Sequence, residues 1–127
     1  TLEHVGFDNS FYNYNKKTLL KETKIKNKQL KVLQKFLNIL KPGGQIFLTL
    51  PFGKGGKYKN LRQFDKNSLN NILKNVKARR IEKIFYIYLN NNWKKCTEND
   101  CKNISPITNS KKIFLSSRSV ALIKITK

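Results

Sequence analysis

Methionine is absent from this sequence, and acidic residues, histidine and cysteine are scarce. Without a methionine, Thr1 is not expected to be a natural translation start, and we expect the chain to be a fragment of a longer product. No apolar run approaches the roughly 18 to 20 residues that a bilayer-spanning helix needs, and the first residues lack the pattern of a secretory leader. The 127 residues are enough for one domain and few for two. We therefore expect a single cytoplasmic domain without membrane contact.

The shortage of acidic residues leaves a formal net charge of +20, because 27 lysines and arginines face seven aspartates and glutamates. Clustered basic side chains bind the phosphates of nucleic acids, and aromatic side chains such as Tyr58 and Trp93 can stack on bases. One interpretation is therefore a non-catalytic basic module that binds nucleic acid through dispersed lysines. Abundant lysine beside asparagine, isoleucine and phenylalanine is also typical of an AT-rich genome. A binding module should gather its lysines on one face, whereas genome bias scatters them.

Cysteine and histidine are too few for a zinc site. Such a site takes four ligands, commonly from paired cysteines and histidines, whereas this chain offers Cys96, Cys101 and the distant His4. We therefore predict no metal site. A disulfide between the two cysteines is geometrically feasible, but a cytosolic setting keeps thiols reduced. The prediction is two free, partly buried thiols.

A helix, a turn and a strand follow one another between Asn27 and Pro51. Apolar residues recur every three or four positions from Leu30 to Leu40, the spacing of one buried helix face. Pro42 cannot continue the helix and the glycines after it tolerate a positive φ, so the helix should end near Lys41. The apolar run that follows predicts a central strand over Gln45 to Leu50, covered on both faces as in a parallel sheet.

Local sequence signals also predict the elements that follow Pro51. Phe52 to Asn60 is rich in glycine and lysine, which predicts a mobile basic loop. Asp65 is a good N-cap for the helix that follows it. Aromatic and β-branched residues predict strands over Ile81 to Leu89 and over Val120 to Ile125. The polar segment from Trp93 to Ser117 gives no firm assignment.

Two short patterns carry candidate chemistry. The loop Gly53-Lys54-Gly55-Gly56-Lys57 offers backbone amides and lysines, as phosphate cradles do, but Tyr58 stands where a P-loop needs serine or threonine. A flexible loop at the mouth of a pocket is therefore the prediction. Glu3-His4 pairs a carboxylate with the only histidine, a combination that can act as a base, a ligand or a binding group. It can equally be structural and satisfy backbone groups at the start of a helix or loop.

Together these segments resemble the second half of class I S-adenosylmethionine-dependent methyltransferases. The likeness rests on Leu2-Glu3-His4-Val5-Gly6, on the Leu30–Leu40 helix, and on the Lys41-Pro42-Gly43-Gly44 turn that leads into Gln45–Pro51. It implies an α/β fold, part of a Rossmann-like three-layer sandwich, whose last strand runs antiparallel between the two before it. Residues 1–127 would form the C-terminal portion of a single methyltransferase domain, with the glycine-rich cofactor loop and the ribose-binding carboxylate upstream.

The resemblance also implies roles for particular residues. The residues expected beside the cofactor S-adenosylmethionine are Thr1, Leu2 and Glu3. The residues expected at the substrate, a small molecule or a glycan with a free hydroxyl, are Pro51, Phe52 and Gly53. His4 is expected to face the acceptor and to take its proton as the catalytic base. Because most cofactor contacts should lie upstream, the fragment alone is expected to be inactive.

Overall fold

The computed structural model describes residues 2–5, 22–58, 61–108 and 115–127. A short 3-10 helix, Leu2–His4, begins this part of the chain. The other elements are, in order, α1 (Glu22–Ile39), β1 (Gln45–Pro51), β2 (Gly56–Tyr58), β3 (Leu61–Gln63), α2 (Lys66–Leu73), β4 (Arg80–Leu89), β5 (Asn92–Cys96), α3 (Glu98–Cys101), β6 (Ile107–Thr108), β7 (Leu115–Ser116) and β8 (Ser119–Thr126). None of the helices within these ranges has both the length and the apolar composition that a bilayer crossing requires.

Helix α1 is amphipathic, and its apolar side is buried. Ile25, Leu33 and Leu37 lie on that side and are at most 3 % exposed. The helix begins earlier than predicted and ends near the predicted residue, where Pro42 cannot extend it. Gly43 then takes a φ of 80°, a backbone conformation that glycine adopts at little cost. The predicted helix and the turn after it are therefore confirmed.

Four strands form one sheet in the order β1-β8-β4-β5, and each neighbouring pair is antiparallel. Strand β8 lies between β1 and β4 and runs against both, so β1 and β4 are parallel to each other. This arrangement confirms the prediction that the last strand is inserted antiparallel between two earlier ones. The described residues thus form a mixed α/β fold with a mostly antiparallel sheet.

The hydrophobic core lies on one face of this sheet, where α1 and α2 pack. Side chains of β8 alternate between buried and half-buried along its whole length, as expected when only one face is covered. Buried apolar side chains of this core include Leu33, Leu37, Leu50, Phe52, Phe64, Leu69, Ile72, Phe85, Ile123 and Ile125. The described residues therefore form two layers, and the predicted three-layer sandwich is not seen in them.

The opposite face of the sheet, here called the open face, is bare in the described structure. Phe47 and Ile84 lie on it and are 73 % and 41 % exposed. Strand β1 is also an edge strand of this sheet, because its ladder pairs only with β8. The prediction of a central strand covered on both faces is therefore wrong. The apolar run misled because one of its large apolar residues, Phe47, lies on the exposed side of β1 together with the polar Gln45 and Thr49.

Two segments contain more regular structure than predicted. Strand β2 lies inside the predicted basic loop and pairs with β3, which follows that loop, as an antiparallel hairpin. Inside the unassigned segment, β5 pairs with β4 and α3 follows. Asn90 and Asn91 make the turn between β4 and β5 with φ values of 50° and 61°, a left-handed conformation that asparagine tolerates. Of these elements, α3 builds one side of the site described next.

Candidate functional site

A cleft of about 260 Å³, lined mostly by polar and charged residues, lies at the carboxyl end of β1. Three segments line it: the two residues after β1, the start of α2, and α3. The lining residues are Phe52, Gly53, Asp65, Lys66, Asn67, Glu98, Asn99 and Lys102. The structure thus brings two of the three predicted substrate residues, Phe52 and Gly53, to one cleft. Pro51 ends β1 just before it and is half-buried.

Gly53 is placed where no side chain fits. A β-carbon at this position would clash with the carbonyl oxygen of Ile104 and with the side-chain nitrogen of Gln63. The amide of Gly53 donates a hydrogen bond of 2.7 Å to the carbonyl of Phe64. A larger residue would therefore have to displace the backbone at Ile104 and the side chain of Gln63.

The carbonyl of Phe52 is held by two buried side chains. Gln63 Nε2 donates to it at 3.1 Å and to the carbonyl of Ile104 at 2.9 Å. The hydroxyl of Ser119 donates to the same Phe52 carbonyl. Gln63 and Ser119 are at most 1 % exposed. Neither was predicted from the sequence, because a buried polar residue looks like a surface residue until its partners, distant in the chain, are known.

The side chain of Phe52 belongs mainly to the core. It is 1 % exposed, and its ring centroid lies 4.8 Å from that of Phe85 in β4. The rings are tilted by 52°, a favourable aromatic geometry. Phe52 can thus shape the cleft floor through its backbone, while most of its ring surface is unavailable to a ligand.

Asp65 is the N-cap of α2. Its Oδ1 accepts from the amide of Ser68 at 2.7 Å, and Ser68 Oγ accepts from the amide of Asp65 at 2.9 Å, which forms a capping box. Burial alone would raise the pKa of Asp65, but the hydrogen bonds from Ser68 and the nearby charge of Arg62 outweigh it and hold the pKa below its usual value. Asp65 is therefore ionised at neutral pH and is poorly suited to act as a general base.

Replacing Asp65 with alanine is expected to lower the free energy of unfolding by about 1 kcal/mol at neutral pH, because α2 loses its cap. The depressed pKa means that the carboxylate stabilises the fold above its unfolded pKa of about 4, and that this contribution is lost as the pH falls through the folded pKa. Urea unfolding at pH 7 and at acid pH measures the effect. Asn67→Ala, at an exposed position in the same turn, is the control. A difference between wild type and Asp65→Ala that does not shrink in acid would contradict this assignment.

Charged side chains connect the elements around the cleft. Glu98 in α3 forms ion pairs with Lys66 of α2 at 3.3 Å and with Lys83 of β4 at 3.9 Å. Lys83 Nζ also donates to Asn70 Oδ1 at 3.0 Å. The cleft therefore offers cationic, anionic and amide groups side by side, which suits a ligand that both donates and accepts hydrogen bonds.

The 3-10 helix packs against β1 and β3, the strand that carries Gln63. Leu2 is 6 % exposed and sits in the core. Its carbonyl accepts from Gln29 Nε2 at 3.0 Å and from the amide of Val5 at 3.1 Å. Glu3 is half-buried. The predictions for Thr1 and for the side chain of His4 lie outside the described residues; the backbone of His4 ends the 3-10 helix.

No three histidine, cysteine, aspartate or glutamate side chains in the described part of the chain come close enough together to hold a metal ion. No protein family, curated protein or solved structure matches this chain.

Proposed function

We propose that this chain is the acceptor-binding half of an S-adenosylmethionine-dependent methyltransferase that acts on a hydroxyl of a small molecule or sugar. The observation that carries the proposal is the strand order, in which antiparallel β8 lies between the parallel strands β1 and β4. The sequence resemblance implies the same order. The Lys41–Gly44 turn also joins α1 to β1 in the implied way.

The open face supports the same proposal. A sheet with apolar side chains on both faces is stable when a second layer covers each of them. On the open face, Phe47, Ile84 and Leu122 border an apolar groove of about 480 Å³. The edge of β1 that faces away from β8 has no strand beside it in the described sheet. Another part of a larger α/β domain would cover that face and pair with that edge, which restores the three-layer arrangement.

In this proposal the chain does not hold the cofactor by itself. Among the residues predicted to contact the cofactor, Leu2 has a buried side chain and a carbonyl that already accepts two hydrogen bonds. The cofactor supplies an electrophilic methyl group, and its main contacts are assigned in this proposal to a part of the parent protein upstream of Thr1. The contribution of this chain is the acceptor cleft.

The cleft suits a neutral, hydroxylated acceptor. Lys66, Asn67 and Lys102 can donate hydrogen bonds, and Glu98 and Asn99 can accept them. A sugar hydroxyl both donates and accepts, so it uses both kinds of group. The carboxylate of Asp65 already caps α2. We therefore assign removal of the acceptor's proton to His4, whose backbone lies on the 3-10 helix packed against β3. In this proposal His4 is the catalytic base.

The proposal is tested by cofactor binding to two forms of the protein. Isothermal calorimetry on residues 1–127 is expected to show no binding of S-adenosylmethionine in the micromolar range. The product of the whole reading frame, which we expect to encode a strand and a glycine-rich turn upstream of Thr1, is expected to bind it. Micromolar binding by residues 1–127 alone, or no binding by the whole product, would overturn the proposal.

A second candidate function, nucleic-acid binding, is favoured by one observation. Four exposed lysines on α1 follow one another at spacings of four, three and four residues, which places them on one side of the helix. They are Lys24, Lys28, Lys31 and Lys35. At a rise of about 1.5 Å per residue, this lysine stripe is about 16 Å long and lies away from the buried side of α1. Its charges can follow the phosphates of one nucleic-acid strand.

This second function is tested by the salt dependence of binding to a duplex oligonucleotide. Changing the four lysines of the stripe to glutamine is expected to reduce the slope of log affinity against log salt by about 3 to 4, since each phosphate contact contributes about 0.9. The control changes four exposed lysines elsewhere, namely Lys41, Lys74, Lys77 and Lys94, and removes the same total charge. Equal losses in both variants would show that net charge, and no defined interface, drives the binding.

A further inference from the structure

Two thiols are in contact at the edge of the cleft. Cys96 ends β5 and Cys101 ends α3, and their Sγ atoms are 3.3 Å apart. Both cysteines are free, as predicted, with Cys96 half-buried and Cys101 fully buried. The contact joins the end of a sheet strand to the one-turn helix that forms a wall of the cleft.

The segment between the thiols holds them in this position. Thr97 is the N-cap of α3: its Oγ1 accepts from the amide of Asp100 at 3.3 Å, and Asp100 Oδ2 accepts from the amide of Thr97 at 2.8 Å. This reciprocal pair of hydrogen bonds closes the turn that folds Cys101 back onto Cys96. The thiols are therefore neighbours because of the local backbone, and this does not depend on a ligand.

The two thiols differ in reactivity. Burial, followed by the hydrogen bond between the Cys101 thiol and the Cys96 sulfur, raises the pKa of Cys101 to about 12. Cys101 is consequently protonated near neutral pH and is shielded from solvent. Cys96 is partly exposed, so it is the sulfur that an oxidant in solution meets first.

We propose that Cys96 and Cys101 are an oxidative modification site, a dithiol that a hydroperoxide converts into an intramolecular disulfide. The Cys96 thiolate attacks the hydroperoxide oxygen, which forms a sulfenic acid and releases hydroxide or alkoxide. Cys101 then attacks the Cys96 sulfur, its proton leaves with the departing hydroxide as water, and the S–S bond forms. With hydrogen peroxide, two thiols and one peroxide give one disulfide and two waters.

Disulfide formation is coupled to the cleft through α3 and the residues after it. The sulfurs must approach from 3.3 Å to a bond of about 2.05 Å, which pulls Cys101 toward β5. The carbonyl of Cys101 accepts from the amide of Ile104 at 3.0 Å, and the carbonyl of Ile104 accepts from the amide of Lys54 at 2.9 Å. Oxidation therefore acts on the wall formed by α3 and on the loop after β1.

The experiment treats the folded chain with hydrogen peroxide, quenches it, unfolds it and alkylates the remaining thiols before peptide mass spectrometry. In the wild type, both cysteines are expected to lose reactivity toward the alkylating agent together, with one disulfide-linked peptide and full recovery after dithiothreitol. In Cys96→Ser, Cys101 is expected to stay alkylatable. In Cys101→Ala, Cys96 is expected to accumulate as a sulfenic acid that dimedone traps.

Hydrogen exchange measured on the same samples tests the coupling. The amides of Lys54 and Ile104 are expected to change their exchange rates on oxidation of the wild type and to be unaffected in Cys96→Ser. Wild-type protein that gives dimedone-labelled Cys96 with a free Cys101, or disulfides only between chains, would overturn the modification site. Unchanged exchange at both amides in the oxidised wild type would overturn its coupling to the cleft.

Discussion

Replacing Phe52 with alanine is expected to lower the free energy of unfolding by about 3 to 5 kcal/mol. The ring is 1 % exposed and packs on Phe85, so its removal leaves a cavity beside the Phe85 ring that the surrounding core can fill only in part. Urea-induced unfolding followed by circular dichroism measures the change. A loss of this size is among the largest that a single substitution produces.

Phe47→Ala is the matched control, because it removes the same ring from β1 at a position 73 % exposed. Its effect on unfolding is expected to stay within about 0.5 kcal/mol. The pair distinguishes a structural Phe52 from one that serves the ligand. If Phe52→Ala unfolds as easily as Phe47→Ala, its ring is not a core residue, and direct contact with the substrate becomes the better explanation.

For the proposed methyltransferase activity, His4→Ala is expected to lower turnover by about a hundred- to ten-thousand-fold, the usual contribution of a general base. The proton of an acceptor hydroxyl needs a base near neutral pH, and histidine titrates in that range. His4 is the only histidine of the chain. Turnover is measured on the product of the whole reading frame with saturating cofactor and acceptor.

The same variant separates catalysis from stability. A catalytic His4 predicts an unchanged melting temperature and an unchanged affinity for the cofactor. A structural His4 at the end of the 3-10 helix predicts a fall in melting temperature together with any fall in rate. Unchanged turnover in His4→Ala would remove this histidine from the mechanism and leave the cleft as a binding site only.

The elements that could be predicted from the sequence are those fixed by local signals. Pro42 and Gly43 mark the end of α1, and Asp65 marks the start of α2, because a proline, a glycine or a capping side chain acts within a few residues of itself. Apolar and β-branched runs also predicted β4 and β8 within a residue or two. The hairpin of β2 and β3 was missed because glycine and lysine are typical of loops.

What could not be predicted depends on residues far apart in the chain. The edge position of β1 depends on which strands lie beside it. The residues of β1 themselves do not indicate how many strands pair with it. One side of the cleft is formed by α3, in a segment that gave no assignment, and its floor is held by Gln63 and Ser119. The role of these two buried polar side chains can be recognised only from the folded structure, in which both donate to the carbonyl of Phe52.

Strand β8 is an inner strand of the four-stranded sheet, and it is the last of the four to be synthesised. Strands β1 and β4 leave the ribosome before β8, yet in the described sheet both of them pair with β8. Of the pairings in this sheet, only the β4–β5 hairpin is available until Ser119–Thr126 emerges. Nascent chains that wait in this state expose unpaired apolar strands and are prone to aggregate. A nascent chain stalled before Ser119–Thr126 has emerged should therefore bind a chaperone. A nascent chain stalled after Lys127 has emerged should not.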